Sequence, residues 1–438
     1  MFEPLRPWRR LAVLLVATAL AATVLPGPQS VRSAEESSEE LVQRERERIL
    51  SAIGATRWHQ AGFRGQGIKV AILDSGFRGY RDHLGKALPK QVTVKSFRQD
   101  GDLEARDSQH GILCAEIIHA VAPAAELLFA NWDTDQPQQY LKAAQWARQQ
   151  GARIISCSII MPSWSDGEGG GDIANAFADI LGRGDRKGDV VCFASAGNTA
   201  ERHWAGNFKP GENGWHQWET GKTQNAVSPW NTDRVSVELY YKTGADYDLV
   251  VVDQAGKRVG RMLEHPGNDR SCRVVVFLPE EWNNYRVLLR LRKGEASPFH
   301  LVVLGGGLAM ARKNGSIPFP GDTRGVCAVG AVYDDGNRAS YSSCGPNSVR
   351  PKPDLVATIP FPSLWRERPF TGTSAAAPQA AGLAALVWSM HPDWSADKVR
   401  FTLQSAARDL GPTGHDHETG FGHVSLPASL LEPSASRP

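Results

Sequence analysis

In the stretch GTSAAAP, residues 372–378, Ser374 sits among very small residues at the front of an apolar run. A serine that only capped a helix would satisfy orphan backbone amides, and it would not need Gly372 before it and three alanines after it. The alternative is a hydroxyl that another chain must approach closely. Two residues elsewhere could serve such a hydroxyl. Asp74 closes the apolar run IKVAILD and is followed by Ser75-Gly76, while His110 opens HGILCAEIIHAV with Gly111 behind it. A carboxylate at the carboxyl end of a buried parallel strand stands where α/β folds build their sites. Singly, each has a plainer reading, Asp74 as a turn residue and His110 as a helix-start residue. Together they place a carboxylate, an imidazole and a hydroxyl at element ends, the set that activates a hydroxyl for attack on a carbonyl. Their order is Asp–His–Ser, whereas an α/β-hydrolase runs Ser–Asp–His with a G-x-S-x-G elbow. FASAGN, which ends at Asn198, reads alone as an ordinary turn.

The elements that must position these residues follow a strand–helix rhythm. IKVAILD (68–74), AELLFANW (125–132), ARIISCSII (152–160) and DVVCFASAG (189–197) read as buried strands. Helical stretches at 110–121, 137–150 and 172–183 fall between them. Such alternation predicts a parallel sheet with helices on both faces. Near residue 200 the rhythm changes, and strands at 235–243, 247–260, 272–279, 285–292 and 299–307 follow one another without helices. In YRVLLRLR the arginines at 286, 290 and 292 alternate with apolar residues, the pattern of a half-buried antiparallel strand. From residue 317 the α/β rhythm resumes with VCAVGAV, the run after Ser374 and a last helix starting at Ser395. The expected organisation is an α/β body over 54–199 and 317–438, an inserted all-β unit over 200–316 and a helical lead-in over 35–53.

Composition sets the frame. The 438 residues are 41% hydrophobic and 22% charged, an ordinary soluble globule with material for a sizeable core. A formal net charge of +2 without Lys/Arg runs gives no case for a nucleic-acid partner. At residues 8–25 two arginines precede an apolar stretch too short to span a membrane, so a cleaved signal peptide within 1–34 and a secreted protein are expected, with a retained anchor as the alternative. The six cysteines are scattered without a CxxC pair and specify no disulfide connectivity.

VAILDSG, QHG, SAGN and GTSAAAP, in that order, resemble a subtilisin-like serine protease, a member of the subtilase family. Agreement extends over about 54–200 and 317–426, through RASYSSCGP, KPDLVA and TGFGHVSL. The resemblance implies a subtilisin-like parallel sheet with helices on both faces, with the insert resembling a prepeptidase-type β-sandwich through YDLVVVDQAGK. It also implies that Asp74, His110 and Ser374 form the catalytic triad and that Asn198 supplies the oxyanion-hole side chain. The small residues around Ser374 then make sense, because a carbonyl must come within about 3–3.5 Å of the nucleophile. Protein or peptide substrates are the partners, and the chemistry needs no cofactor.

The chain departs from the family pattern in places. Ile112 follows His-Gly where a threonine is usual. The substrate-binding segment, usually Ser-Leu-Gly-Gly, is Ser158-Ile159-Ile160-Met161. If substrate lies extended beside this segment, the branched Ile160 narrows the entrance and disfavours bulky aromatic P1 residues. No large pro-domain is expected before residue 54. DGEGGGD (166–172) could offer oxygens to a structural calcium but reads better as a polar loop, and the histidines of GHDHETGFGH (414–423) read as a C-terminal loop and not as a metal site. Two rival functions remain at this level: a protease-like binding protein acting through its β insert, and an esterase using the same triad.

Overall fold

A computed structural model describes residues 37–105, 108–263, 272–281, 283–347 and 351–432. The signal peptide expected within 1–34 lies outside the described residues. Along the chain, α1 (Ser38–Ala52) and α2 (Ala55–Gln60) lead into β1 (Lys69–Leu73), β2 (Thr93–Ser96), α3 (His110–Val121) and β3 (Glu126–Asn131). Then come α4 (Pro137–Gln149), β4 (Ile154–Cys157), α5 (Asp172–Leu181) and β5 (Val191–Ser195). A run of strands follows: β6 (His203–Asn207), β7 (Asn225–Pro229), β8 (Val235–Tyr241), β9 (Ala245–Val252), β10 (Arg261–Leu263), β11 (Cys272–Phe277), β12 (Tyr285–Gly294), β13 (Pro298–Leu304) and β14 (Gly306–Leu308). β15 (Val326–Val332), β16 (Leu355–Thr358), α6 (Thr373–Met390) and α7 (Ala396–Ala406) complete the order.

The main sheet runs β2-β3-β1-β4-β5-β15-β16, and every pairing in it is parallel. Its inner strands are apolar on both faces because both faces are covered there. In β1, Val70 and Ile72 join the core formed with α1, α2, α3, α6 and α7, whereas Ala71 and Leu73 join the core formed with α4 and α5. The order reverses direction at β1, so the crevice beyond the carboxyl ends of β1, β4 and β5 is the place where such sheets bind ligands. Sequence reading missed β2 and β16, which are four-residue edge strands.

α1 is firmly docked. Ser37 and Glu40 form a reciprocal capping box at the start of α1. One turn on, the buried Arg46 donates to Glu116 Oε1 of α3 at 2.8 Å and to the carbonyl of Pro362 at 2.7 Å. Glu116 also accepts from the Ser363 hydroxyl and from the Leu364 amide, each at 2.7 Å. α1, α3 and the hairpin Phe361–Phe370 are thereby tied at one point.

Between β5 and β15 the strands form two antiparallel sheets, β10-β11-β8-β13-β6 and β14-β7-β12-β9. Their inward residues share one core, with Val237, Phe299 and Leu301 from the first sheet and Leu249, Val287 and Leu289 from the second. β6 and β7 were not anticipated from sequence. All six cysteines are buried.

A chain of imidazoles joins this region to the α/β body. His203 Nδ1 donates to the Arg312 carbonyl at 3.0 Å, which leaves its Nε2 to accept from His300 Nδ1 at 3.1 Å. His300 Nε2 lies 3.1 Å from Glu168, in the loop before α5, and the Tyr240 ring stacks on it. Burial, and then the neighbouring His300, push the pKa of His203 down to about 3. An unfolded histidine titrates near 6.5, so between those values the unfolded chain binds the extra proton. Stability present above about pH 6.5 should therefore be lost as pH falls toward 3, by about 1.4 kcal/mol per pH unit from this group. Calorimetry of the wild type and His203→Gln should show a steeper loss of Tm between pH 6.5 and 4 in the wild type.

Candidate active site

Asp74 follows the last residue of β1, and its amide bonds the Ala130 carbonyl, extending the strand pairing by one residue. Its carboxylate is fully buried. Oδ1 accepts from the Ser75 amide at 2.7 Å and from its hydroxyl at 3.2 Å, and Oδ2 lies 2.8 Å from His110 Nδ1. His110 is the first residue of α3. Gly111 is needed behind it because a Cβ there would meet the Phe77 ring at 2.4 Å. On its other side the Phe370 ring stands edge-on to the imidazole with centroids 5.4 Å apart. Desolvation works against a charged imidazole here, but the Asp74 charge and hydrogen bond outweigh it and hold the pKa of His110 well above the usual 6.5.

Ser374 is the second residue of α6, and the cap position belongs to Gly372. Gly372 has φ +83°, and a Cβ on it would lie 2.9 Å from Asn198 Nδ2. Both conditions call for glycine, one for conformation and one for space. The Ser374 hydroxyl donates to the Ser158 carbonyl at 3.3 Å, and the Ser158 hydroxyl donates back to the Ser374 carbonyl at 3.3 Å. Among the described residues no hydrogen bond joins Ser374 Oγ to His110 Nε2. Such contacts are often long without substrate and tighten when it binds.

Asn198 lies just past β5, and its amide orientation is fixed by Thr373. The Thr373 amide and hydroxyl donate to Asn198 Oδ1 at 3.1 and 3.0 Å, and the same hydroxyl accepts from the Gly197 amide at 3.2 Å. With its oxygen so engaged, Asn198 turns Nδ2 toward Gly372 at the start of α6. The first amides of that helix have no intrahelical acceptors, and their dipole favours negative charge.

Ser158 is buried beside Ser374, while Ile159 packs partly against the core under α4 and α5. Ile160 turns elsewhere: it lines a cleft of about 760 Å³ between Pro162–Trp164 and the antiparallel strands. Ile112 is fully buried core and adds nothing to the crevice.

Sequence reasoning missed four residues here: Ser75, Thr373, Phe370 and Cys114. The signal for Cys114 was its spacing, one helical turn after His110. Its thiol lies 3.7 Å from Asp74 Oδ2 and 3.6 Å from the Ser374 carbonyl, and burial pushes its pKa up. Asp74, His110 and Cys114 bring one potential metal-ligand atom each within 4.8 Å, the one such group among the described residues. Two of the three acids of the 166–172 loop are engaged, because Asp166 accepts from the Glu168 and Gly170 amides and Glu168 meets His300. His415 and His423 bond the Pro353 carbonyl and Thr358.

This fold and crevice define a parallel α/β protein with an aspartate, a histidine and a serine converging at its strand ends. Residues 65–233 and 294–422 match the sequence profile of the subtilase family, so the chain belongs to that family. It is 37% identical over 119 residues to subtilisin DY of Bacillus licheniformis, an overlap of 27% of this chain and 43% of that protein. It is 36% identical over 117 residues to alkaline elastase YaB of Bacillus sp. (strain YaB), covering 26% and 29% of the two chains. The chain thus spans less than half the length of these curated relatives. Among solved structures, the Clostridium perfringens CspB protease shares the fold at a TM-score of 0.61 and 16% identity, over 86% of this chain and 94% of that one.

The carboxylate–imidazole pair has a direct reading in solution. The His110 ring, followed by NMR, should titrate above pH 6.5, and Asp74→Asn should move its midpoint down because the charge that holds the proton is gone. An unchanged midpoint in the variant would remove Asp74 as the cause.

Proposed function

We propose that this protein is a secreted serine endopeptidase that cleaves peptide bonds through an acyl-enzyme formed on Ser374. The observation that supports this reading most strongly is the convergence of four groups on one crevice: the Asp74–His110 pair, the Ser374 hydroxyl and the Asn198 amide. In this reading a χ1 rotation carries Ser374 Oγ from the Ser158 carbonyl to His110 Nε2 as the scissile carbonyl arrives. His110 takes the hydroxyl proton and later delivers it to the leaving amine, and Asp74 fixes the tautomer and stabilises the imidazolium. Asn198 Nδ2 and the backbone amide of Ser374 receive the oxyanion. Water then hydrolyses the ester with His110 as base, so the reaction asks for no cofactor.

Substrate would lie extended along Ser158, Ile159 and Ile160, pairing with them as an added strand, and the branched Ile160 would restrict large aromatic side chains beside it. The strands between residues 200 and 316 would form a domain inserted directly after the oxyanion residue. Export would rest on the amino-terminal apolar segment. Among the described residues no helix is long and apolar enough to cross a membrane.

The test is labelling with a fluorophosphonate probe together with digestion of unfolded casein. Labelling with cleavage supports the peptidase, labelling without cleavage points to an esterase or to a peptidase of narrow specificity, and neither points to a binding protein. Ser374→Ala or His110→Ala should lower turnover by about 10⁶-fold. Asn198→Ala should lower kcat by about 10²–10³-fold with little change in KM, as expected of a group that bonds only the oxyanion.

A further inference from the structure

The cleft beside Ile160 is walled on one side by the α/β body and on the other by the antiparallel strands. Pro162–Trp164 packs against β8 and β11, and Ile160, Trp164, Val274 and Leu304 give the cleft apolar walls. One carboxylate stands among them, Glu238 of β8. It is only partly exposed, and both oxygens are oriented, Oε2 by the Ser163 amide at 3.3 Å and Oε1 by the Ser236 hydroxyl at 3.2 Å. The other charged residues lining the cleft are Asp135, Asp233, Arg234 and Arg261, all exposed and two of each sign. Solvent and salt weaken those four, and only Arg234 acts on Glu238, partly offsetting its charge. Glu238 therefore sets the sign of the interior.

Register connects this interior to the candidate nucleophile. Ser374 Oγ bonds the Ser158 carbonyl, so a substrate whose scissile carbonyl meets Ser374 has its P1 residue beside Ser158. Antiparallel pairing advances both chains residue for residue, which puts P3 opposite Ile160. Side chains there and at the next position would stand at the mouth of the cleft, which Ile160 and Met161 line.

We propose that the cleft is a substrate subsite for a basic side chain at P3 or P4, with its stem along the apolar walls and its charge on Glu238. The proposal rests on the peptidase reading and adds a substrate class to it: peptides carrying Lys or Arg two or three residues before P1. It gives the antiparallel strands a part in choosing substrate. Burial raises the pKa of Glu238 although the Ser163 and Ser236 bonds and the Arg234 charge all pull it down, and an arriving ammonium or guanidinium would add to that stabilisation.

The experiment compares fluorogenic peptides that differ only in Lys, norleucine or Glu at P3 and at P4. Wild-type kcat/KM should favour Lys over Glu by about tenfold or more at one of these positions, with norleucine between them. Glu238→Gln should bring that ratio toward one, and Glu238→Lys should reverse it. A wild-type ratio near one, or a ratio that survives in Glu238→Gln, overturns the subsite while fluorophosphonate labelling and casein cleavage keep the peptidase. If the variants fail to fold, the wild-type profile alone decides. Absence of both labelling and cleavage of every peptide overturns the peptidase reading and the subsite with it.

Discussion

A carboxylate with no exposed surface, Asp74, is the constraint around which the crevice is arranged. A buried anion is costly unless donors surround it, and few are within reach at the end of a parallel strand. Ser75 supplies two from the turn itself, and His110 supplies the third, so α3 must begin where its first residue can face β1. That demand accounts for the glycine behind His110 and for the packing of Phe77 in the space it leaves. Stabilising the charge and preparing a base are thus one arrangement.

The long run of antiparallel strands leaves this arrangement undisturbed. It departs after Asn198 and returns at Ile317–Pro318, and Pro318 lies against the position a Gly197 Cβ would take. Its two ends are therefore adjacent, and β5 pairs directly with β15 with Cys192 beside Val326. Closing such an excursion adds little entropy beyond that of a shorter loop, because the cost grows only with the logarithm of length. The family profile skips residues 234–293, which lie within these strands, and does not reach α1 or α2.

Much of the site could be read from sequence because the groups that converge sit at element ends flanked by small residues, a local signal for Asp74, His110 and Ser374. Asn198 could be read only through resemblance, since an amide after a strand looks like any turn. The parallel sheet was legible where its strands are apolar on both faces. It was not at β2, three of whose four residues are exposed, nor at β16, too short to show a period. Thr373, Phe370 and Cys114 escaped because their roles are tertiary: a hydroxyl that orients an amide two strands away, a ring edge and a thiol one turn down. Ile159 and Ile160 look alike in sequence, yet one meets the core and the other the cleft, and a difference of one residue in register decides it.

The clamp at Arg46 bears on how the chain can be processed. Were a cut to remove α1, Glu116 would stay buried in α3 without its cation, and stranding one member of such a pair destabilises by about 3–5 kcal/mol. The hairpin that carries Phe370 would lose the Arg46 bond to Pro362 at the same stroke. α1 therefore differs in kind from a disposable leader. A cut past Arg46 would take the cation and the Pro362 bond away together and loosen the wall behind His110, so α1 is a part of the site's support and not only a lead into it.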